Sequence, residues 1–146
     1  MVDRSRPDLA AMIVPLGRAL TLAELPILHA HNLTMWGYVV LLRLDDEPIR
    51  TQAALADAVG ADRTRIIAVL DDLEARGLIR RVPDPGDRRA RLLSLTDEGR
   101  RTRDAAQAAI QLGEEDLLAR LTPEDRRGFL NALKVLSARD PERNDP

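Results

Sequence analysis

The arginines of this chain are concentrated in one stretch, although the chain as a whole is slightly acidic. Residues 76 to 103 contain nine arginines and four acidic residues, which gives a local charge of +5, whereas the net charge of the chain is −2. A guanidinium group can donate two hydrogen bonds to guanine or to a phosphate. This stretch therefore indicates binding to nucleic acid. The alternative is that an arginine-rich hairpin is only a solvated edge that prevents strand pairing.

A second group of candidate residues begins a segment with helical periodicity just before that stretch. Arg63, Thr64 and Arg65 start the segment, and Ala68 follows one turn after Thr64. Thr64 and Ala68 lie opposite the apolar stripe. That stripe consists of Ile66, Val69, Leu70 and Leu73. Arginine can pair with guanine, threonine with a base or a phosphate, and alanine with a thymine methyl group. Contact with phosphate alone is the alternative for Arg63 and Arg65.

Two successive helices are expected to position these residues. Thr51 is suited to cap a short helix that Gly60 ends. Asp62 is suited to cap a longer helix that ends before Gly77. A short helix, a tight glycine turn and a longer helix form the pattern of a helix-turn-helix. We therefore expect Thr51 and Gln52, at the start of this unit, to contact DNA as well.

The segment after Gly77 has the pattern of a β-hairpin. Two strand-like runs, residues 78–82 and 90–95, flank the turn sequence of residues 83–87. The candidate residues of this hairpin are Asp87, Arg88, Arg89 and Arg91. A helix followed by an arginine-tipped hairpin is the outline of a winged helix-turn-helix. In that arrangement the helix can enter a major groove, and the hairpin can reach an adjacent minor groove.

The segments on both sides of this unit also have helical periodicity. Residues 9–31 are expected to form one bent helix or two shorter ones, because Pro15 and Pro26 interrupt the pattern. Two further helices are expected from residue 97 to about 120 and from residue 122 to 137. Their apolar positions are Ala105, Ala106, Ala109, Ile110, Leu117 and Leu118 in the first, and Phe129, Leu130, Leu133 and Leu136 in the second.

A helix that precedes the helix-turn-helix completes the predicted elements. Thr34 is suited to cap it, and it is expected to end near residues 45–48. Its apolar stripe consists of Trp36, Val40, Leu41 and Leu44. Thr96 and Thr122 are suited to cap the two helices of the C-terminal segment.

The expected fold is mainly α with a small β wing, an α+β winged helix-turn-helix with long N- and C-terminal dimerisation helices. Residues 33–96 would form the DNA-binding region, and residues 1–32 and 97–146 the helical dimerisation region, in one intertwined domain per chain. The terminal helices have apolar stripes that so small a winged unit cannot cover. Pairing with a second copy is the simplest way to bury them, so we expect a two-fold homodimer.

Composition excludes several classes of function. The chain contains no cysteine, which excludes a disulfide scaffold, a thiolate metal site and a thiol redox switch. No glycine-rich phosphate loop and no paired histidine and carboxylate motif is present, so we expect no enzyme and no cofactor. No secretion signal is recognisable, and the apolar run of residues 9–16 is interrupted and too short for a membrane span. We expect a cytoplasmic protein without a membrane partner.

Two histidines invite a metal-site hypothesis. His29 and His31 are separated by two positions, so on a helix they point in different directions. No third ligand is obvious near them in the sequence. Polar contacts near a helix end are the simpler interpretation, and we expect no metal.

Five segments in this order and spacing make the chain resemble the MarR family of bacterial transcriptional regulators. They are TQAALAD at 51–57, DRTRII at 62–67, LEARGL at 73–78, PDPGDRRA at 83–90 and LTDEGR at 95–100. The resemblance implies an obligate dimer, a recognition helix at 62–76 and a wing at 82–91. It also implies an effector pocket between the winged unit and the terminal helices. By the same resemblance, Arg89 is the residue that enters the minor groove and Asp87 orients it. The peroxide-sensing branch of the family uses a cysteine, so that mechanism is excluded here.

The function that these patterns indicate is sequence-specific binding to double-stranded DNA at a pseudo-palindromic operator. The chain would act as a repressor that a small-molecule effector releases, and His31, Trp36 and Tyr38 are candidates to line the effector pocket. Packing in the core is the interpretation that we prefer for Trp36. The alternative function is a winged-helix protein-interaction module without specific DNA binding. Such a module would have an apolar recognition surface and no arginines at the wing tip, whereas Arg88, Arg89 and Arg91 occupy the tip here.

Overall fold

The computed structural model describes residues 3–44 and 51–138. Its elements are α1 (Leu9–Ala30), α2 (Met35–Arg43), α3 (Gln52–Val59), α4 (Arg63–Ala75), β1 (Ile79–Asp84), β2 (Asp87–Leu95), α5 (Asp97–Leu118) and α6 (Pro123–Ser137). The two strands form one antiparallel sheet, so the mainly α fold with a small β wing is confirmed. The chain divides into two compact units, Met1–Ile110 and Gln111–Pro146, which are described separately below.

Side-chain caps fix where five of the helices begin. In each case the side-chain oxygen of the capping residue accepts a hydrogen bond from a backbone N–H three residues later, at 2.9 to 3.1 Å. These residues are Thr34, Thr51, Asp62, Thr96 and Thr122, and all five predicted caps are confirmed. Each such cap typically contributes about 1 kcal/mol to stability, because it satisfies a helix N–H group that otherwise has no partner.

The hydrophobic core of the first unit determines which face of α4 is exposed. Ile66, Leu70 and Leu73 of α4 are buried, as the predicted stripe requires. The other large side chains that are fully buried in this core are Leu28, Val40, Leu41, Leu55 and Leu93. Because one face of α4 is held against α2, α3 and the wing, its opposite face is presented to solvent.

Glycine is required at both turns that flank α4. Gly60 ends α3 with φ of 71°, and Gly77 follows α4 with φ of 72°. Both lie in the left-handed region that side chains with a β-carbon rarely adopt. They let α3 pass into α4, and α4 into the wing, through connections of three residues each.

Helix α5 begins in close contact with the link between α4 and the wing. The hydroxyl of Thr96 donates to the carbonyl of Gly77 at 2.6 Å, and the Thr96 N–H donates to the carbonyl of Leu78 at 3.2 Å. Gly99 is buried one turn further on, where an added β-carbon would overlap the Leu78 carbonyl. The absence of a side chain at Gly99 therefore allows α5 to lie directly against the backbone of this link.

Helix α1 is one continuous helix of 22 residues that contains both Pro15 and Pro26, which agrees with a single helix over residues 9–31 rather than with two shorter ones. Only Leu28 is buried in the single chain, and the exposed large apolar residues of this helix are Leu9, Met12, Ile13, Val14, Leu22 and Leu25. By length and by its mean hydropathy of 1.5, α1 could cross a membrane. The expectation of no membrane span concerned the apolar run of residues 9–16, whereas α1 extends from Leu9 to Ala30. Helices that pack inside soluble proteins meet the same two criteria.

The remaining differences concern the ends and faces of elements. Both strands are longer than predicted, and α5 ends at Leu118 rather than near residue 120. The buried face of α5 consists of Gly99, Arg103, Ala106 and Ile110, whereas Ala105 is exposed. Leu130, Leu133 and Leu136 of α6 are exposed in the single chain. The predicted end of α2 at residues 45–48 lies outside the described residues.

Candidate nucleic-acid interface

The exposed face of α4 presents the four side chains that were predicted to contact DNA. Arg63, Thr64, Arg65 and Ala68 are all exposed. The carboxylate of Asp62 accepts the Arg65 N–H at 2.9 Å, so the first turn of α4 is held in place. Their exposure agrees with the prediction, while their contact with DNA stays a prediction.

Ile67 is a further exposed residue of this face, and we did not predict it as a site residue. Its side chain is 44% exposed, next to Ala68, whereas the neighbouring Ile66 is fully buried. The exposure of Ile67 could have been predicted from the sequence, because two consecutive isoleucines on a helix cannot both face the same core. An exposed apolar side chain on a recognition helix can contact a thymine methyl group.

Arg65 does not extend freely into solvent, because it lies over an aromatic ring. Its guanidinium carbon is 5.7 Å from the centroid of the Trp36 ring, within the range of a cation–π interaction. Trp36 lies in the first turn of α2, is half-buried and is not among the buried residues of the core. The preferred interpretation of Trp36 as a core residue was therefore wrong.

The wing tip is a bulge that carries its arginines outward. Ile79 to Pro83 pair regularly with β2, but Asp84 then pairs with Asp87, so residues 88–90 have no partner on β1. Bulges redirect side chains and interrupt strand pairing. Arg88, Arg89 and Arg91 are exposed, while Ala90 between them is buried. The arginines are thus displayed on one irregular tip.

Two aspartates shape this tip through the backbone. The carboxylate of Asp84 accepts the Gly86 N–H at 2.9 Å, and that of Asp87 accepts the Arg89 N–H at 2.9 Å. These are local turn contacts of the kind that aspartate favours. Asp87 was expected to orient Arg89, and its contact here is with the backbone N–H of that residue.

Arg81 of β1 joins the wing to α4. Its guanidinium group bonds to Asp71 at 2.5 Å and to Glu74 at 3.1 Å, and its side chain is only 17% exposed. The hydrogen bond from Arg81 lowers the pKa of the Glu74 carboxyl group, and the same contact raises the pKa of Arg81. Asp71 thus pairs with Arg81, and the neighbouring Asp72 pairs with Arg76.

A cleft of about 280 Å³ adjoins this ion-pair group. It is lined by Gln52, Glu74, Arg81 and Arg91, so it lies between the start of α3 and the wing. Gln52 Oε1 is a buried oxygen without a hydrogen-bond partner among the described residues. Thr51, the other predicted residue of this site, uses its hydroxyl group to cap α3. The structure thus places Gln52 beside the wing residue Arg91, which the sequence did not indicate.

The three candidate effector residues have different surroundings. His31 Nδ1 lies 2.9 Å from the carbonyl oxygen of Ile27 at the end of α1, Tyr38 is buried in the core, and Trp36 lies within cation–π range of Arg65. None of them lines the cleft described above. The effector pocket stays a prediction. Within residues 3–44 and 51–138, no group of three potential metal ligands occurs.

Comparison with known proteins relates this geometry to one family. A model of the MarR family matches residues 31–90. A putative transcriptional regulatory protein for the hcr operon of Thauera aromatica is 34% identical over 105 residues, which are 72% of this chain but only 63% of that protein. The transcriptional regulator HosA of Escherichia coli O111:H- is 33% identical over 108 residues, covering 72% of this chain and 78% of HosA.

Solved structures show the same fold. The transcriptional repressor CouR, bound to a 23-mer DNA duplex, has 34% identity and a TM-score of 0.73, with 90% of this chain and 93% of that chain covered. CouR from Rhodococcus jostii RHA1, bound to p-coumaroyl-CoA, has 27% identity and a TM-score of 0.72, with 91% and 94% covered.

Proposed function

Because this chain belongs to the MarR family, we propose that it is a sequence-specific DNA-binding transcriptional regulator, and specifically a repressor released by a small molecule. Regulators of this family bind DNA, and the similar CouR structures hold a DNA duplex in one case and an acyl-CoA in the other. The observation that carries the proposal is the exposed face of α4 beside an arginine-bearing wing. We propose that the chain acts in the cytoplasm and is not an enzyme.

In this proposal α4 enters the major groove. Arg63, Thr64, Arg65 and Ala68 would reach base edges or phosphates, because the N-terminal residues of a recognition helix lie deepest in the groove. Their exposure and the rigid N-cap at Asp62 support these roles. Arg65 is assigned to a guanine, since its fixed guanidinium plane suits two hydrogen bonds to O6 and N7.

The wing and the start of α3 would hold the DNA backbone on either side. Arg89 is proposed to enter the minor groove, with Arg88 and Arg91 on nearby phosphates. Asp87 would maintain the turn through the Arg89 N–H. Thr51 and Gln52 begin α3, and the N-terminus of a helix favours a phosphate.

The proposed active form is a homodimer. Residues 1–32 and 97–146 would supply the dimerisation helices, and residues 33–96 the DNA-binding region. Helix α1 leaves six large apolar residues exposed in the single chain, and α6 exposes apolar side chains along its own stripe. Contiguous exposed apolar surface is normally covered by a partner. A two-fold dimer would place two recognition helices on successive turns of the duplex.

His31, Trp36 and Tyr38 remain the candidate effector residues, and Trp36 has an additional contact with the recognition helix through Arg65. A small molecule that binds near Trp36 could thereby affect DNA binding. The alternative function as a protein-interaction module is less well supported, because Ile67 is the only large apolar side chain exposed among the described residues of α4.

Selection of DNA fragments tests the proposed function. Purified protein should enrich genomic fragments that share an inverted repeat, because two identical subunits read two half-sites. Sequencing the enriched fragments should place the half-site centres about 10 base pairs apart or at a multiple of that spacing. Enrichment without any shared motif would favour the protein-interaction alternative. A single, unrepeated half-site would contradict the dimer.

A further inference from the structure

Arg65, on the exposed face of α4, makes a cation–π contact with Trp36 of α2. Arg65 is exposed and lies in the first turn of α4, while Trp36 lies in the first turn of α2 and is half-buried. The distance of 5.7 Å from the Arg65 guanidinium carbon to the ring centroid is within cation–π range. The two helices that bear these residues are both anchored in the core through Val40, Leu41 and Leu70.

We propose that Trp36 is a specificity-determining positioning residue, which holds the Arg65 guanidinium in the orientation that reads one base pair of each half-site. The proposal rests on the proposed function, and it assigns to Trp36 a role that neither its burial nor its position in the sequence indicated.

Stacking and base recognition are compatible because they use different parts of the guanidinium group. All five N–H donors of arginine lie in the guanidinium plane, whereas the aromatic ring interacts with the face of that plane. Arg65 can therefore remain over Trp36 while its edge donates two hydrogen bonds to guanine. Trp36 would act as a support behind Arg65 and would not itself need to touch a base.

The physical gain is pre-organisation. An arginine side chain loses considerable rotamer freedom when it is fixed on a base, and an orientation that is already restricted in the free protein reduces that loss. A cation–π contact at an exposed site corresponds to roughly a two- to fivefold change in an equilibrium constant. Because the support acts only through Arg65, the change should appear at the base pair that Arg65 reads.

The test measures base preference as well as affinity. Wild type, Trp36→Leu, Trp36→Phe, Arg65→Ala and the Trp36→Leu/Arg65→Ala double variant are titrated onto labelled operator duplexes that differ at one base pair at a time. Trp36→Leu should reduce the preference at one position per half-site by about two- to fivefold. Trp36→Phe should retain part of it, since a smaller aromatic face remains. In the Arg65→Ala background, Trp36→Leu should have no further effect on that preference.

A merely structural role of Trp36 gives a different pattern. In that case Trp36→Leu would weaken binding to all duplexes alike, and the same loss would occur in the Arg65→Ala background. That result would overturn the proposal. Tighter binding by Trp36→Leu would also overturn it, because Trp36 would then compete with DNA for Arg65. If the wild type shows no base preference at all, the proposed function fails and the inference fails with it.

A fluorescence measurement keeps the inference testable even if Trp36→Leu does not fold. Trp36 is the only tryptophan of the chain, so its emission reports directly on its surroundings. Arg65→Ala should change the emission of the free protein, whereas Arg63→Ala, on the same turn of α4, should leave it unchanged. Identical spectra for wild type and Arg65→Ala would show that the stack is not populated and would overturn the proposal.

Discussion

Replacing Arg89 with alanine should weaken binding to operator DNA by roughly 1–3 kcal/mol per subunit, on the scale of a lost arginine contact. Arg89 is exposed at the tip of the wing, in the bulge where β2 has no partner. A residue in the minor groove contributes charge and reads groove width more than base identity. The loss should therefore be similar on the operator and on AT-rich DNA without an operator. Fluorescence anisotropy at one fixed salt concentration measures both.

Arg101→Ala is the matched control for Arg89→Ala. Arg101 is also an exposed arginine of the basic stretch, but it lies on α5, pairs with Glu98 and is outside the proposed interface. Its replacement should change the affinity little. Asp87→Ala should reproduce the Arg89 effect more weakly, because it releases the Arg89 backbone N–H without removing the charge. Equal affinities for wild type and Arg89→Ala would refute the assignment of the wing.

Replacing Gly99 with alanine should lower the free energy of unfolding by about 1–3 kcal/mol or more, in the range observed for overpacked sites. The new β-carbon would overlap the carbonyl of Leu78, which belongs to the backbone and cannot turn aside. Helix α5 would have to move away from the link between α4 and the wing, where Thr96 now bonds to Gly77. Urea unfolding at a fixed protein concentration gives the comparison, since a dimer's stability depends on concentration.

Gly128→Ala provides the control for Gly99→Ala within the same chain. Gly128 lies in α6 with no atom near the position of an added β-carbon, and it is not part of the apolar stripe of α6. There alanine should stabilise the helix by roughly 0.5–1 kcal/mol, because glycine is the poorer helix former. If Gly99→Ala and Gly128→Ala are equally stable, the close approach of α5 to Leu78 does not exist.

Features set by a few neighbouring residues could be predicted from the sequence. Thr51 and Asp62 cap helices because their oxygens reach an N–H only three residues away, and Gly60 and Gly77 mark turns because of their own backbone freedom. The apolar stripe of α4 identified its buried face, and so the exposed side chains that are proposed to contact DNA.

Features that depend on distant partners could not be predicted. Arg65 meets Trp36 only because α2 and α4 fold against one core, and Arg81 meets Asp71 only after the chain has turned at Gly77. The sequence left open whether Pro15 and Pro26 would divide the N-terminal segment, and both lie within one continuous helix. The wing bulge was not predicted, because strand register depends on which residues of the two strands pair. The types of residues 88–90 alone do not determine that pairing.

The salt dependence of operator binding tests most directly whether this face of the chain binds DNA. Two arginine-bearing wings and two α4 helices should neutralise several phosphates, and each neutralised phosphate releases condensed counterions. With on the order of six such contacts per dimer, the logarithm of the affinity should fall with the logarithm of the salt concentration with a slope of roughly −5. Anisotropy titrations of the wild-type protein over a series of salt concentrations give this slope. A slope near zero would contradict binding through this interface.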